Sequence, residues 1–129
     1  MRKITKLWFK RSLYDYTTAK AMYRTKRYLY VIYCCHQTVE KLLKVSVIEK
    51  TNRPPPYSHN LLKLLNLSGI KNKVPEKFIT LTEFLNPYYL PTKYPDVKQE
   101  LLKIINKAMC KNILNITGEF VKWLKRKLK

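Results

Sequence analysis

The chain is short of glycine, of acid and of long apolar runs. Only Gly69 and Gly118 occur in 129 residues. Multi-stranded folds usually need many turn glycines, so helices with few connections are favoured over an all-β architecture. The three cysteines, Cys34, Cys35 and Cys110, are odd in number and two of them are adjacent, and no secretory leader is expected ahead of them. A disulfide framework is therefore not expected, and a reducing cytoplasm is the expected compartment. The longest apolar stretch, Tyr28 to Cys35, falls far short of the roughly 18 to 20 residues that cross a bilayer, so no membrane span is expected. Glycine-rich phosphate loops of the Walker or dinucleotide type are missing, which leaves ATPase and dehydrogenase chemistry without support and predicts no cofactor. Metal-ligand spacing is missing too. Adjacent cysteines on a helix diverge by about 100°, and Cys34, Cys35, Cys110, His36 and His59 form no Cys-x-x-Cys or His-x-x-x-His pattern, so no metal site is expected.

Acid is scarce beside base: 8 Asp and Glu stand against 27 Lys and Arg, a net charge of +19. Most basic groups can find no acidic partner within the chain. Two readings stay open, a polyanionic or acidic partner and a lysine-rich compositional bias that serves solubility.

What is present is enough for one core. At this length, with 46% apolar residues, a single domain over residues 1–129 is expected. Ile4, Trp8, Tyr16, Ala19 and Tyr23 recur at helical spacing on one face, with Ser12 filling the missing turn, and predict a first helix to about Arg24. After a break at Lys26 and Arg27, the series Leu29, Ile32, Tyr33, Val39, Leu42, Leu43 and Val47 predicts a second helix to about Lys50, antiparallel to the first. Pro54 to Pro56 force a loop. Leu61 to Leu67 predict a short helix capped at Gly69, and Pro75 opens another through Leu85. Asn86 to Asp96, with Pro87, Pro91 and Pro95 among tyrosines, is expected to be irregular. A single long final helix is predicted from about Val97, with Leu101, Ile104, Ile105, Ala108, Ile116, Phe120, Trp123 and Leu124 inward. Lys103, Lys107 and Lys111, then Lys122 to Lys129, line its other side.

Trp8, Asp15 and Ala19 on the first helix, Gln37, Glu40, Lys41 and Lys44 within HQTVEKLLK on the second, Ser58, His59 and Leu61 at the third, and NPYYLPTKYPD from Asn86 to Asp96 fall in an order that resembles the HEPN domain family. The resemblance covers nearly the whole chain. It implies an all-α antiparallel bundle of four to five helices with up-down topology, usually a homodimer. It also implies a nucleotide- or RNA-directed role, often beside a nucleotidyltransferase partner in toxin-antitoxin or defence pairs. The family's ribonuclease motif is an arginine followed a few residues later by a histidine. Lys93 stands at the arginine position, and Val97, Lys98 and Gln99 follow where the histidine belongs. Lysine lacks the planar fork of arginine, and without imidazole the motif has no group that exchanges protons near neutral pH. A non-catalytic binder is therefore the leading expectation. A metal-independent RNase using Lys93 and His59, and a basic subunit docking an acidic protein, are the alternatives.

The candidate nucleotide- or RNA-binding residues are Gln37, Glu40, Lys44, His59, Tyr89, Lys93, Tyr94, Lys103, Lys107 and Lys111. Asp15 is expected to form an interhelical salt bridge with Lys41 or Lys44 that fixes helix register; the alternative is that Gln37, Glu40 and Lys44 line a polar pocket for a nucleotide. Asn60 or Ser58 is expected to cap the third helix, and His59 beside them either has a capping or orienting role within the fold or touches ligand. Tyr88, Tyr89 and Tyr94 beside Lys93 either stack a base, pack internally, or meet a second copy. His36 is expected to be a packed polar residue, with no acid spaced to orient it.

Overall fold

Lys26, at φ 63°, turns the chain between the first two helices. Of the 129 residues, the computed structural model describes 1–89 and 95–128, without the side chains of residues 97 and 98. The elements in order are α1 (Lys3–Arg24), α2 (Tyr28–Thr51), α3 (Leu61–Ser68), α4 (Glu76–Leu85), a 3₁₀ turn (Asn86–Tyr89), α5 (Pro95–Leu102) and α6 (Lys107–Lys127). The fold is all-α, with six α-helices among the described residues where four to five were expected.

The hairpin of α1 and α2 forms the most extensive interface. Three polar ties set its antiparallel register: Arg2 and Thr5 reach Glu49 at 2.8 and 2.9 Å, and Asp15 pairs with Lys41 at 2.6 Å. The buried face of α1 is rotated from the expected one. Thr5, Phe9, Ser12 and Ala19 are buried, while Ile4 is exposed. Small polar residues can sit inside because their hydroxyls are satisfied: Thr5 donates to Glu49, and Ser12 donates to the carbonyl of Phe9 at 2.6 Å. The second helix is the hub. Nearly every residue from Cys35 to Ile48 is buried, because α1, α3, α4, α6 and the 3₁₀ turn all pack on it.

Local chemistry sets the ends of the shorter helices. Asn52, left-handed at φ 56°, closes α2 ahead of the three prolines. The Asn60 side chain accepts from the N–H groups of Leu62 and Lys63 and caps α3, which ends at left-handed Gly69 as expected. Phe78 of α4 stacks on Phe120 of α6, ring centroids 4.8 Å apart, and both meet Trp123.

The single long final helix is not what forms. It breaks after Leu102, and α6 starts afresh at Lys107 with the Asn106 side chain accepting from the N–H of Met109 at 2.9 Å. Asparagine competes for local backbone groups and is better as a cap than inside a helix. The break resets the helical phase, so Ile105 is buried, whereas Ile104 and Ala108, expected inward, are exposed.

Candidate functional site

Three polar residues, His36, Glu40 and Lys44, follow one another at four-residue spacing on α2 and are all buried. A buried carboxylate is costly unless paired and hydrogen-bonded. Glu40 has both: Lys44 Nζ lies 3.1 Å from Oε2, and His59 Nδ1 lies 2.8 Å from Oε1. A carboxylate only accepts, so Nδ1–H of His59 is the donor, which leaves Nε2 as an acceptor in the neutral ring.

The loop before α3 delivers His59, and the 3₁₀ turn covers it. Tyr89 stacks on its ring, centroids 3.9 Å apart and planes within 17°. Tyr57, 98% exposed, meets the same imidazole edge-on at 5.9 Å. Asn60, Asn86 and Pro87 complete a cavity of about 260 Å³ with His59 and Tyr89. The carbonyl oxygens of both asparagines are engaged with backbone, Asn60 capping α3 and Asn86 accepting from the N–H of Leu61 at 2.7 Å. Their amide N–H groups are the ends left to donate to a ligand. Lys44 lines a second cavity of about 340 Å³ with Trp8, Arg53, Pro54, Pro55, Pro56 and Tyr57. Its Nζ stands 5.5 Å from the Trp8 ring centre.

His36 does have an acid four residues on, contrary to expectation, but Glu40 Oε1 is 3.9 Å from its Nδ1, beyond hydrogen-bond reach. Burial is the main cause that pushes its pKa down to about 4, outweighing the opposing pull of Glu40. Neither ring nitrogen makes a well-formed hydrogen bond, although the backbone of His59 comes close enough to favour the charged form. The ring is thus neutral at ordinary pH and takes no part in proton transfer there.

The other expected site residues are spread. Gln37 belongs with α1, its Oε1 3.5 Å from Lys41 Nζ in the pair with Asp15, while Glu40 and Lys44 belong with His59. Tyr88 packs on Phe84, and burial raises its pKa. Lys93 and Tyr94 lie outside the described residues. Lys103 sits in the break between α5 and α6, paired with Glu100 at 3.1 Å, so it does not continue the row of Lys107 and Lys111, which are exposed on α6. Burial pushes the thiols of Cys34 and Cys110 up to about 11 and that of Cys35 to about 12, which keeps them protonated and unreactive. No helix of the described residues is long and apolar enough to cross a membrane. Sequence reasoning missed Asn60 and Asn86 as site residues. The Asn60 spacing ahead of α3 signals a cap, but nothing local places Asn86 beside it.

The family model described as HEPN domain matches residues 5–127. Among solved structures, that of TT1696 from Thermus thermophilus is similar over 98% of this chain and 99% of its own, with a TM-score of 0.81 and 18% sequence identity, a likeness of fold. No curated protein matches the chain.

Proposed function

The chain belongs to the HEPN domain family, and from that premise we propose that it binds nucleotides or RNA at the His59–Tyr89 site without cleaving them. Membership supports a nucleotide- or RNA-related role in general. The observation that carries the finer reading is the stacked pair of His59 and Tyr89 held by buried Glu40. A fixed imidazole, exposed aromatic surface on Tyr57, and two amide donors at Asn60 and Asn86 suit a base and its polar edge. The net charge of +19 supplies the attraction for phosphate. Cleavage is not part of the reading, because Lys93 replaces the family's arginine, Gln99 and its neighbours replace the histidine, and His36 does not titrate near neutral pH. A homodimer working with a nucleotidyltransferase partner in a toxin-antitoxin or defence pair belongs to the same proposal, resting on the family resemblance.

The test is affinity for single-stranded RNA. Tyr89→Ala is expected to weaken it by about 1–3 kcal/mol, roughly 5- to 150-fold, as loss of one stacking contact does. An unchanged affinity would remove Tyr89 from the site.

One observation favours a second reading. Glu40 orients the His59 imidazole much as a carboxylate orients a catalytic histidine, so a metal-independent RNase in which His59 moves the proton and Lys93 neutralises the phosphate is the rival. Metal-free RNA cleavage that disappears in His59→Ala would establish it.

A further inference from the structure

A groove of about 620 Å³ runs between α1 and α6, lined among others by Leu13, Tyr16, Lys20, Asn115, Lys122 and Lys125. It is larger than either cavity beside Glu40, and it draws on Lys20, which the sequence had not marked. Its floor is made by one close approach. Gly118 has no Cβ, and a Cβ there would collide with the Tyr16 hydroxyl. The tyrosine therefore lies across to α6 and donates to the carbonyl of Leu114 at 3.2 Å.

The charges are spread along this groove. Cys110 Sγ meets the carbonyl of Tyr28, and Cys35 meets Thr117, so α2 and α6 run parallel. Helix α1, antiparallel to α2, is then antiparallel to α6. Lys20 lies one turn beyond Tyr16 in one direction, and Lys122 and Lys125 lie in the other. By helix rise the span from Asn115 to Lys125 is about 15 Å. The acid on the groove wall, Glu119, is taken by Lys77 at 3.0 Å. Lys20 sits over the Tyr16 ring at 5.1 Å. None of Lys20, Lys122 and Lys125 has an acidic partner among the described residues.

We infer that this groove is a track for the sugar-phosphate backbone of single-stranded RNA, with Lys20, Lys122 and Lys125 as its phosphate contacts. The inference rests on the RNA-binding reading above and gives it a second, sequence-independent surface. Lysine is a point charge suited to phosphate without base readout. Asn115 adds a polar side chain beside them, and half-exposed Leu13 an apolar wall for ribose or base. Cations strung along a channel fit a chain of repeating charges better than a folded acidic protein, whose interface needs an apolar centre.

The experiment measures binding of a labelled oligouridylate by fluorescence anisotropy across a salt series. It compares the wild type, a groove triple (Lys20→Gln, Lys122→Gln, Lys125→Gln) and a control triple of equal charge change on other exposed positions (Lys3→Gln, Lys63→Gln, Lys71→Gln). Three single-strand phosphate contacts contribute about −2 to the log-log salt slope, so the groove triple should lose about 2 from that slope and bind about fifty-fold more weakly near 0.15 M salt. The control triple should lose only a small fraction of that. Equal losses in both triples would overturn the groove while leaving RNA binding intact. No RNA binding by the wild type would overturn the RNA reading itself. Tighter binding of polyglutamate than of RNA, lost in the groove triple, would reassign the groove to an acidic protein.

Discussion

Replacing Lys44 by Met isolates the electrostatic heart of the site. Lys44 and Glu40 side chains are 7% and 4% exposed and lie 3.1 Å apart. Methionine preserves most of the lysine stem while removing the charge, and with it the ammonium that stands over the Trp8 ring. Glu40 would then keep only His59, which is partly open to water. Breaking a buried pair from one side leaves an uncompensated charge and costs about 3–5 kcal/mol, a large share of the roughly 5–15 kcal/mol that holds a domain together. The double variant Glu40→Leu with Lys44→Met removes both charges, and its stability should fall within about 1 kcal/mol of the wild type, because burying the pair already costs most of what its attraction returns. Urea unfolding followed by circular dichroism measures both, provided the m-value stays constant. A cost below about 1 kcal/mol for Lys44→Met, or a double variant as unstable as the single, would refute the claim that Glu40 is held as a buried ion.

Acid should destabilise the fold through His36. Its folded pKa of about 4 lies below the ordinary 6.5, so the unfolded chain takes up the proton first, and stability falls as pH drops from about 6.5 toward 4, by on the order of 3 kcal/mol. His36→Leu should flatten that part of the pH profile in urea melts, and an unchanged profile would assign the acid sensitivity elsewhere. Asn60→Ala should lower stability by about 1 kcal/mol through loss of the α3 cap, with no effect marking the cap as dispensable. For the proposed homodimer, light scattering should return twice 15.5 kDa at micromolar concentration, and a monomer mass throughout would remove that part of the proposal.

Where a boundary is written in local chemistry, the sequence was readable. Three prolines, a glycine after Ser68 and the basic break at Lys26 mark the ends of α1 to α3, and the structure puts left-handed residues at Lys26, Asn52 and Gly69. Boundaries that apolar spacing runs straight through were not readable. Leu101, Ile104, Ile105 and Ala108 continue a helical period across Asn106, and the asparagine cap overrides it. The candidate site was legible by half. His36, Glu40 and Lys44 share a face by spacing alone, but a polar face ordinarily points to water. Here that face of α2 is covered, and only the tertiary fold brings His59, nineteen residues away, onto Glu40 and Tyr89 onto His59.

The most direct measurement puts binding and cleavage on the same labelled single-stranded RNA, in metal-free buffer, with wild type, His59→Ala and Lys93→Ala side by side. Binding of intact RNA by the wild type, weakened in His59→Ala and with no cleavage above background in any of the three, is the expected result. Cleavage by the wild type that either substitution abolishes would contradict it and make the protein an RNase.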